Sequence, residues 1–428
     1  MNEDFLQFIW NFKLFNSPEL RTTDNRKLEV ISSGVRNNNS GPDFYNAKIR
    51  IDGTLWAGTV EIHRKSSDWN AHGHNRDSAY NSVILHVVEN EDTVIHRQNG
   101  EILPALQITC PEIYKQRYEE LCKSPQNIPC SNYISNVDSF KIKFWLNRIA
   151  AERMEKKTQE INNLITVAGG DLEAVFNYVL FRYFGFKTNA VPFEMLAMSL
   201  PVRLLRKYHC SLFSLEALLF GQAGFLEQSI DDEYFNSLKS EYSYLKSKHE
   251  LAPMDRALWK FSKLRPGNFP SIRIAQIAAL LHKYQSLWDI IVPLNNINDI
   301  YSIFDVKASE YWDSHYVFGK MSQKKSAKKI GKDSVNIIII NAVSLMLFVY
   351  AIYRNNESMR EKSLHFLEIT DAESNSIISE WSACGIIPVN ALESQALLHL
   401  KNEYCLHRKC LKCAIGKEVI KNILNLEP

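Results

Sequence analysis

The chain has 428 residues, 45% of them hydrophobic and 23% charged, and its formal net charge is +2. Because this length exceeds what one ordinary hydrophobic core supports, we expect two or three domains. The composition is typical of a folded globular protein and excludes low-complexity chains and small disulfide-rich secreted domains. The net charge neither requires nor excludes nucleic acid as a partner.

The N-terminal residues Met1–Asp4 are acidic and lack the basic start and apolar core of a signal peptide. Eight cysteines are scattered over the chain, unlike a secreted disulfide framework. We therefore expect a cytoplasmic protein that does not enter a membrane. The apolar run Val335–Tyr353 has almost the length of a membrane span. Three polar residues interrupt it, which favours a buried helix.

Residues 1–110 predict a mixture of helices and strands. Apolar residues at helical spacing predict an amphipathic helix in residues 4–15, and a short helix is predicted near residues 77–81. Asp52-Gly53 predicts a two-residue hairpin turn. The strands indicated by alternating or continuous apolar residues are 28–32, 47–51, 55–63, 83–88, 94–96 and 105–109.

After residue 110 the pattern changes to helices separated by Pro and Gly. We expect a helical domain over residues 111–375 and a small helical, Cys-containing segment over residues 376–428. Within the helical domain, Arg265 and Arg273 border a Pro-rich turn, where they are candidates to bind a substrate anion or to secure a helix start.

Two basic runs, residues 320–332 and 401–421, carry six Lys or Arg each. Such runs serve as solvated faces or as contacts with a nucleic-acid backbone.

The residues best suited to catalysis lie on either side of the predicted hairpin. Glu61, His63 and Lys65 alternate along the third strand and share one face. Asp43 precedes the second strand, so pairing across the hairpin brings it near Glu61. Two neighbouring carboxylates repel each other unless a cation or a proton intervenes, and an oxygen-rich site suits Mg²⁺ or Mn²⁺. The alternative is an exposed strand face with ordinary polar side chains.

The loop after the third strand carries Asp68, His72 and His74. The two histidines are candidates to bind the metal or a substrate phosphate, or to hydrogen-bond to the loop backbone. His86 lies within an apolar run and is expected to be a core residue.

A second candidate metal site lies near the C-terminus, where Cys405, Cys410 and Cys413 are close in sequence and can surround one metal. This set suits Zn²⁺ or an iron–sulfur cluster, and the alternative is reduced thiols packed among helices. The candidates for the fourth ligand are His407, His399, Cys384 and Cys130.

Residues 1–110 resemble the core of the PD-(D/E)xK nuclease-like superfamily. The resemblance rests on the element order, on Pro42-Asp43 and on Glu61. It implies a restriction-endonuclease-like αβββαβ core in which both acids bind the metal. His63 stands where the superfamily has Lys, so His63 or Lys65 becomes the candidate to assist the attacking water. If neither does, the fold persists without activity.

The chain also resembles, over nearly its full length, a family of proteins of unknown function. That resemblance implies a domain layout and no activity. The segments that carry it are Gly41–Phe44, Val60–His63, Asp68-Trp69, His72–His74, Val83–Val88, Arg265–Arg273 and Tyr404–Gly416.

We therefore expect an α+β protein with the nuclease-like core first, then the large all-α domain and the Cys-containing helical segment. The predicted function is a metal-dependent phosphodiesterase acting on nucleic acid. One alternative is a catalytically inactive nucleic-acid-binding or scaffold protein, and another is a small-molecule phosphohydrolase or transferase. The sequence has no Walker loop, dinucleotide fingerprint or serine nucleophile elbow.

Overall fold

The computed structural model describes residues 2–15, 19–37 and 39–422. The chain forms two compact units, one of residues 1–145 with 401–428 and the other of residues 146–400. The cysteine-containing C-terminal segment therefore belongs to the unit that contains the main sheet. The predicted boundaries at residues 110 and 375 both fall inside a unit.

The first unit combines a mixed sheet with helices. Its elements up to residue 145 are α1 (Glu3–Asn11), β1 (Leu28–Ser32), β2 (Val35–Arg36), β3 (Phe44–Ile51), β4 (Thr54–Lys65), α2 (Asp68–Ala71), β5 (Val83–Asn90), β6 (Ala105–Gln107), α3 (Glu112–Lys123) and the start of α4 (Ser139–Val167). Short 3-10 turns lie at His74–Arg76, Ser78–Ser82 and Ile134–Asn136.

The strand order of the sheet is β1-β3-β4-β5-β6, and β2 pairs with the open end of β3. β1, β3 and β4 pair antiparallel, whereas β4 pairs parallel to β5 and β5 parallel to β6. β5 lies between two parallel neighbours, and its first six residues, all apolar apart from His86, are buried. A parallel central strand with an apolar sequence of this kind is typical of a sheet covered on both faces.

The predicted hairpin between β3 and β4 is confirmed. Ile51 pairs with Thr54, and both Asp52 and Gly53 have positive φ angles, 46° and 84°, as a type I′ turn requires. A bulge at the other end of β3 shifts the register by one residue and includes Asn46, whose φ is 55°. The bulge sets which side chains of β3 and β4 meet at the far end of the hairpin.

Most of the predicted elements in residues 1–110 are confirmed. Two differences concern short pieces: β2 was not predicted, and residues 94–96 form only an isolated bridge between His96 and Ile102. Residues 77–81 form part of a 3-10 turn, and the four-residue helix α2 precedes it. The β4-to-β5 crossover therefore contains only short helical pieces.

The second unit is mainly helical, as predicted for this part of the chain. After the remainder of α4, its elements are α5 (Leu172–Phe184), α6 (Ala190–Ser199), α7 (Val202–Tyr208), α8 (Leu212–Gln222), α9 (Glu233–His249), α10 (Pro270–Lys283), α11 (Leu287–Ile291), α12 (Ile297–Phe304), β7 (His315–Val317), β8 (Lys320–Met321), α13 (Lys332–Ile338), α14 (Ser344–Arg354), α15 (Glu357–Ile369), α16 (Ser376–Ala383) and α17 (Ala391–Leu400). The last helix of the chain, α18 (Ala414–Lys421), lies in the first unit.

The predicted apolar run forms α13 and α14, joined by a π-helical turn at Ile339–Val343. The combined segment Lys332–Arg354 is long and apolar enough to cross a membrane, with a mean hydropathy of 2.3. However, 83% of the 18-residue stretch to which this hydropathy refers is buried inside the protein. This burial is what a core helix of a soluble protein requires, and the segment is weak evidence for a membrane span.

Candidate metal centre

Asp43 and Glu61 meet at the end of β3 and β4, as their positions in the sequence predicted. The register pairs Phe44 with Val60, so Asp43 comes next to Glu61. The Asp43 N–H donates to Glu61 Oε2 at 3.0 Å, and the Ile62 N–H donates to Asp43 Oδ2 at 3.0 Å. The two acids are therefore held by the backbone of each other's strand.

Helix α1 contributes to this end of the sheet. Gln7 Nε2 donates to Asp43 Oδ1 at 2.7 Å, so both oxygens of that carboxylate accept a hydrogen bond. Burial, and then the nearby Glu61, raise the pKa of Asp43 to about 7. Glu3, at the start of α1, interacts electrostatically with Glu61 and His72, and burial raises its pKa.

Beside these acids lies a histidine cluster formed by His63, His72 and His74. One ring nitrogen from each lies within 4.8 Å of the others. His72 Nδ1 is 3.1 Å from His63 Nε2. Glu61 Oε1 is 3.4 Å from His74 Nε2 and 3.6 Å from His63 Nε2. Two ligands about 2.0–2.1 Å from a tetrahedral ion are about 3.4 Å apart, so these spacings fit ligands of one ion.

His86 holds the ring of His63 from the other side. It is fully buried on β5, opposite Glu61 in the parallel register, and its Nε2 is 2.9 Å from His63 Nδ1. If His63 Nδ1 carries the proton and donates to His86, the lone pair of His63 Nε2 is directed into the cluster. Metal-binding histidines are usually fixed by such a partner on the second nitrogen. His86 is a core residue, as predicted, and it also orients His63.

The buried histidines are held in their neutral form. Burial, and then the neighbouring His86, His74 and His72, lower the pKa of His63 to about 2. Burial likewise lowers the pKa of His86 to about 4, with a smaller contribution from His74. Only the neutral ring offers a nitrogen lone pair to a metal, so the environment keeps these groups ready to bind a cation.

The cluster has a closed side and an open side. His63 is 2% exposed, whereas His72 is exposed to solvent. Tyr80 stacks on His74 with a ring-centroid distance of 3.8 Å, and Trp69 contacts the same ring edge to face. An ion at this position would therefore contact the buried His63 on one side and be accessible from the His72 side, as a catalytic metal site requires.

Lys65 does not join the cluster. Its side chain is exposed, its N–H donates to Asp68 Oδ2, and within the described residues it forms no ion pair. The face that Glu61 and His63 share changes from buried to exposed after His63, at the C-terminal end of β4.

The two candidate substrate-binding arginines lie in the second unit. Arg265 is exposed and precedes the 3-10 turn Pro266–Asn268. Arg273 is 3% exposed and donates to Gln276, Asn268 and Ser334 at 2.7–2.9 Å. Its contacts secure the start of α10, which is the structural alternative considered for this turn.

The basic runs are partly engaged in structural contacts. Lys328 is buried and its Nζ donates to Asp313 O and to Ser326, while Lys332 pairs with Asp371 at 2.7 Å. Three other lysines of the run, Lys320, Lys324 and Lys325, are exposed. The exposed charge is therefore smaller than the sequence indicated.

The four cysteines Cys130, Cys405, Cys410 and Cys413 are buried in the first unit, where their thiols interact electrostatically with one another. The other candidates for the fourth ligand are placed elsewhere. His399 and Cys384 belong to the second unit, where they contact Glu152 and Glu380, and His407 is exposed.

Three residues of the candidate metal centre were not predicted: Glu3, Gln7 and Tyr80. Glu3 and Gln7 are four residues apart and therefore share a helix face, which is a signal the sequence does contain. No such signal identifies Tyr80, because its contact with His74 depends on the path of the crossover loop.

Comparison with known proteins gives one match. No curated protein and no solved structure matches the chain significantly. One family model, described as a protein of unknown function (DUF2851), matches residues 3–376. This match covers most of the chain, including α1, the sheet, the histidine cluster and nearly all of the helical unit. The chain therefore belongs to the DUF2851 family of proteins of unknown function.

Proposed function

We propose that the protein is a metal-dependent hydrolase that cleaves phosphodiester bonds, with nucleic acid as the substrate class. The observation that carries the proposal is the convergence of His63, His72 and His74 within 4.8 Å, with Glu61 Oε1 at 3.4–3.6 Å from two of them. Three imidazoles and one carboxylate form a ligand set with an accessible side, which is common in hydrolytic metal sites.

The ligand set favours a particular class of ion. The sequence had suggested Mg²⁺ or Mn²⁺ bound by Asp43 and Glu61. However, imidazole nitrogen suits Zn²⁺ or Fe²⁺, and a carboxylate beside it also suits Mn²⁺, whereas Mg²⁺ prefers an all-oxygen site and keeps several waters. The oxygens of Asp43 already accept hydrogen bonds from Gln7 and Ile62. We therefore assign the ligand role to Glu61 and the three histidines, and a positioning role to Asp43.

The surrounding residues orient this ligand set. The Asp43 N–H holds Glu61 Oε2, which leaves Oε1 facing the histidines. His86 fixes the ring of His63. A bound divalent ion lowers the pKa of its water and stabilises negative charge that develops on a phosphoryl oxygen.

The substrate class is supported by the order of the elements. α1, β1, β3, β4, α2 and β5 follow the αβββαβ order of the nuclease-like core, apart from the extra two-residue β2. One acid precedes β3 and another lies on β4, as the resemblance implies. The exposed lysines Lys320, Lys324 and Lys325 are available for a phosphate backbone. A cytoplasmic location fits this substrate and the eight free cysteines.

The second candidate is an inactive nucleic-acid-binding or scaffold protein with the same fold. The position of Lys65 favours it, because the side chain is exposed and pairs with no acid among the described residues. In active members of the resembling superfamily a lysine assists the water. In this chain His63 is buried among the other histidines instead.

Metal content and activity together test the proposal. Purified protein is analysed for bound metals and assayed with bis(p-nitrophenyl) phosphate, single-stranded DNA and RNA, with Zn²⁺, Mn²⁺ or Mg²⁺ added. We expect wild type to hold about one equivalent of transition metal more than Glu61→Gln or His74→Ala, and to show hydrolysis that both changes abolish. His365→Ala, a change at an exposed histidine of the second unit, is the control and should retain both the bound metal and the hydrolytic activity.

The outcomes separate the candidates. Metal binding without hydrolysis of any substrate rejects the enzyme and favours the inactive alternative. Activity that survives Glu61→Gln rejects the site. Equal metal content in wild type and His74→Ala rejects the ligand assignment.

A further inference from the structure

The C-terminal cysteines have a spacing that the proposed function does not use. Cys405, Cys410 and Cys413 form the pattern C-x4-C-x2-C. The same spacing, with a fourth cysteine remote in sequence, holds iron–sulfur clusters of the plant ferredoxin type. In this chain the remote cysteine that reaches the three is Cys130, which precedes them by more than 270 residues.

Each of the four thiols is buried in the first unit. Their exposed fractions are 6% for Cys130, 7% for Cys405, 7% for Cys410 and 6% for Cys413, and none forms a disulfide. Cys130 interacts electrostatically with each of the other three, and burial raises the pKa of its thiol strongly. Four thiols in one buried place are common where a metal group replaces their protons.

The backbone around the thiols is arranged to stabilise negative sulfur. Helix α18 begins directly after Cys413, and the backbone N–H groups of Gly416 and Ile415 act to lower the pKa of the Cys413 thiol. Burial raises the pKa of the Cys413 thiol, and these two donors oppose that shift. Hydrogen bonds from N–H groups stabilise a thiolate, and they tune the potential of clusters that thiolates hold.

The loop that carries the cysteines is held in a strained and closely packed form. A π-helical turn, Lys401–Cys405, leads into it, and Arg408 has a φ of 53°. Arg408 Nη2 donates to Ser124 O at 2.7 Å, which ties the loop to the segment before Cys130. A Cβ at Gly416 would lie 2.4 Å from Cys410 O, so only glycine allows α18 to approach the loop.

A zinc ion and an iron–sulfur cluster hold their sulfur ligands at different distances. A tetrahedral zinc ion holds its sulfurs about 3.8 Å apart, because each Zn–S bond is about 2.3 Å long. Among the described residues, which include all eight cysteines, no three sulfurs lie within 4.8 Å of one another. A polynuclear cluster is wider than a single ion and holds its thiolates further apart.

We propose that Cys130, Cys405, Cys410 and Cys413 bind an iron–sulfur cluster that fastens the C-terminal segment to the rest of the first unit. The group is structural, because all four ligands are buried and no step of the proposed hydrolysis uses it. The proposal does not depend on the proposed function, since the cluster and the histidine site have no ligand in common.

The first test needs no variant. The full-length protein is purified without oxygen, or reconstituted with ferrous iron and sulfide, and is analysed for iron, acid-labile sulfide and zinc. We expect brown protein with about two or about four iron atoms and an equal amount of sulfide per chain. One equivalent of zinc without sulfide, or protein that takes up neither after reconstitution, overturns the proposal.

Variants then test the ligands. Single changes of Cys130, Cys405, Cys410 or Cys413 to Ser are each expected to lower the iron and sulfide content at least several-fold. Cys210→Ser, at an exposed position of the second unit, and Cys122→Ser, at a half-buried position near Cys410, are the controls and should retain full content. Full content in Cys130→Ser, or its loss in Cys122→Ser, overturns the assignment of Cys130.

A variant that fails to fold is recognised separately. Thiol labelling of wild-type protein, with and without prior removal of iron by a chelator, needs no substitution. Four thiols should become reactive when the iron is removed. An unchanged number of reactive thiols overturns the proposal.

Discussion

The backbone N–H of Asp43 donates to Glu61 Oε2 at 3.0 Å, while the other oxygen of Glu61 faces His74 and His63. The acid before β3 thus orients the acid on β4 through its backbone. Its own carboxylate is occupied by the Ile62 N–H and by Gln7. This relationship supports the roles proposed above, with Glu61 as a ligand and Asp43 as a positioning residue.

The different roles of these two acids lead to different effects on metal affinity. Asp43→Ala removes the acceptor for the Ile62 N–H but keeps the backbone donor to Glu61. We expect the affinity for Zn²⁺ or Mn²⁺ to fall about 10–100-fold, as for other residues that orient a ligand. Glu61→Ala removes a ligand and should lower it further. Competition with a chromophoric chelator measures the metal affinity of both variants. Lys65→Ala is the matched control. Equal losses in both acid variants would contradict the distinction.

His86 offers a second test of the same centre. His86→Leu removes the partner of His63 Nδ1, so the ring of His63 loses its fixed orientation. We expect metal affinity to fall about 10-fold or more. His86→Gln retains an acceptor and should recover part of the loss. The same chelator competition gives the values, with circular dichroism to verify folding. Unchanged affinity in His86→Leu would show that His86 is only a packing residue.

In the second unit, Glu216 on α8 should make stability depend on pH. Burial raises the pKa of its carboxyl to about 7, although Tyr234 donates a hydrogen bond to it. An unfolded Glu has a pKa of about 4.3, so between about pH 4.3 and 7 the folded state retains a proton that the unfolded state releases. The contribution of this group to stability therefore falls as pH rises through that window, and the loss is complete above pH 7.

Glu216→Gln removes the ionisable carboxyl, and with it the loss of stability that accompanies a rise in pH. We expect the variant to be more stable than wild type at pH 8, by on the order of 3–4 kcal/mol, and about equal to it at pH 4. Urea unfolding at both pH values measures the difference. Glu361→Gln, at an exposed position of α15, is the control and should show no such pH dependence. If the difference in stability between Glu216→Gln and wild type is the same at both pH values, Glu216 does not have the raised pKa on which this prediction depends.

Close packing of α8 against α9 gives a further prediction. A Cβ at Gly221 would lie 2.0 Å from the ring of Tyr242, which is buried. Gly221→Ala should therefore destabilise the protein by about 1–3 kcal/mol, although alanine favours a helix interior. Gly331→Ala is the matched control, because no atom lies within 4 Å of the added carbon. Thermal or urea unfolding compares the two, and equal stability would mean that Tyr242 moves aside freely.

The sequence by itself determined the local elements. Alternating apolar residues marked β1, with the same bounds in the structure, and Asp52-Gly53 marked the turn that joins β3 to β4. These features depend on residues close in the chain, so side-chain periodicity and turn chemistry are sufficient. The proximity of Asp43 and Glu61 also followed, because a tight hairpin leaves little freedom in register.

Only the tertiary structure decided what surrounds these two acids. The bulge at Asn46 shifts the register by one residue, which brings Asp43 opposite Glu61 and not opposite Ile62. The parallel pairing of β5 places His86 behind His63, and the crossover loop brings His72 and His74 to the same point. Such contacts arise from long-range pairing, which no spacing along the chain encodes.

Long-range packing also decides which of the cysteines share a unit. The C-x4-C-x2-C pattern was present in the sequence, but the choice of Cys130 among four candidates was not. The fold places Cys130 in the same unit as these three cysteines, because the C-terminal segment returns to the first unit after the 255 residues of the second. Burial of all four thiols in one core is a property of the packed chain, since a thiol has no buried neighbours until the segments that carry it have packed.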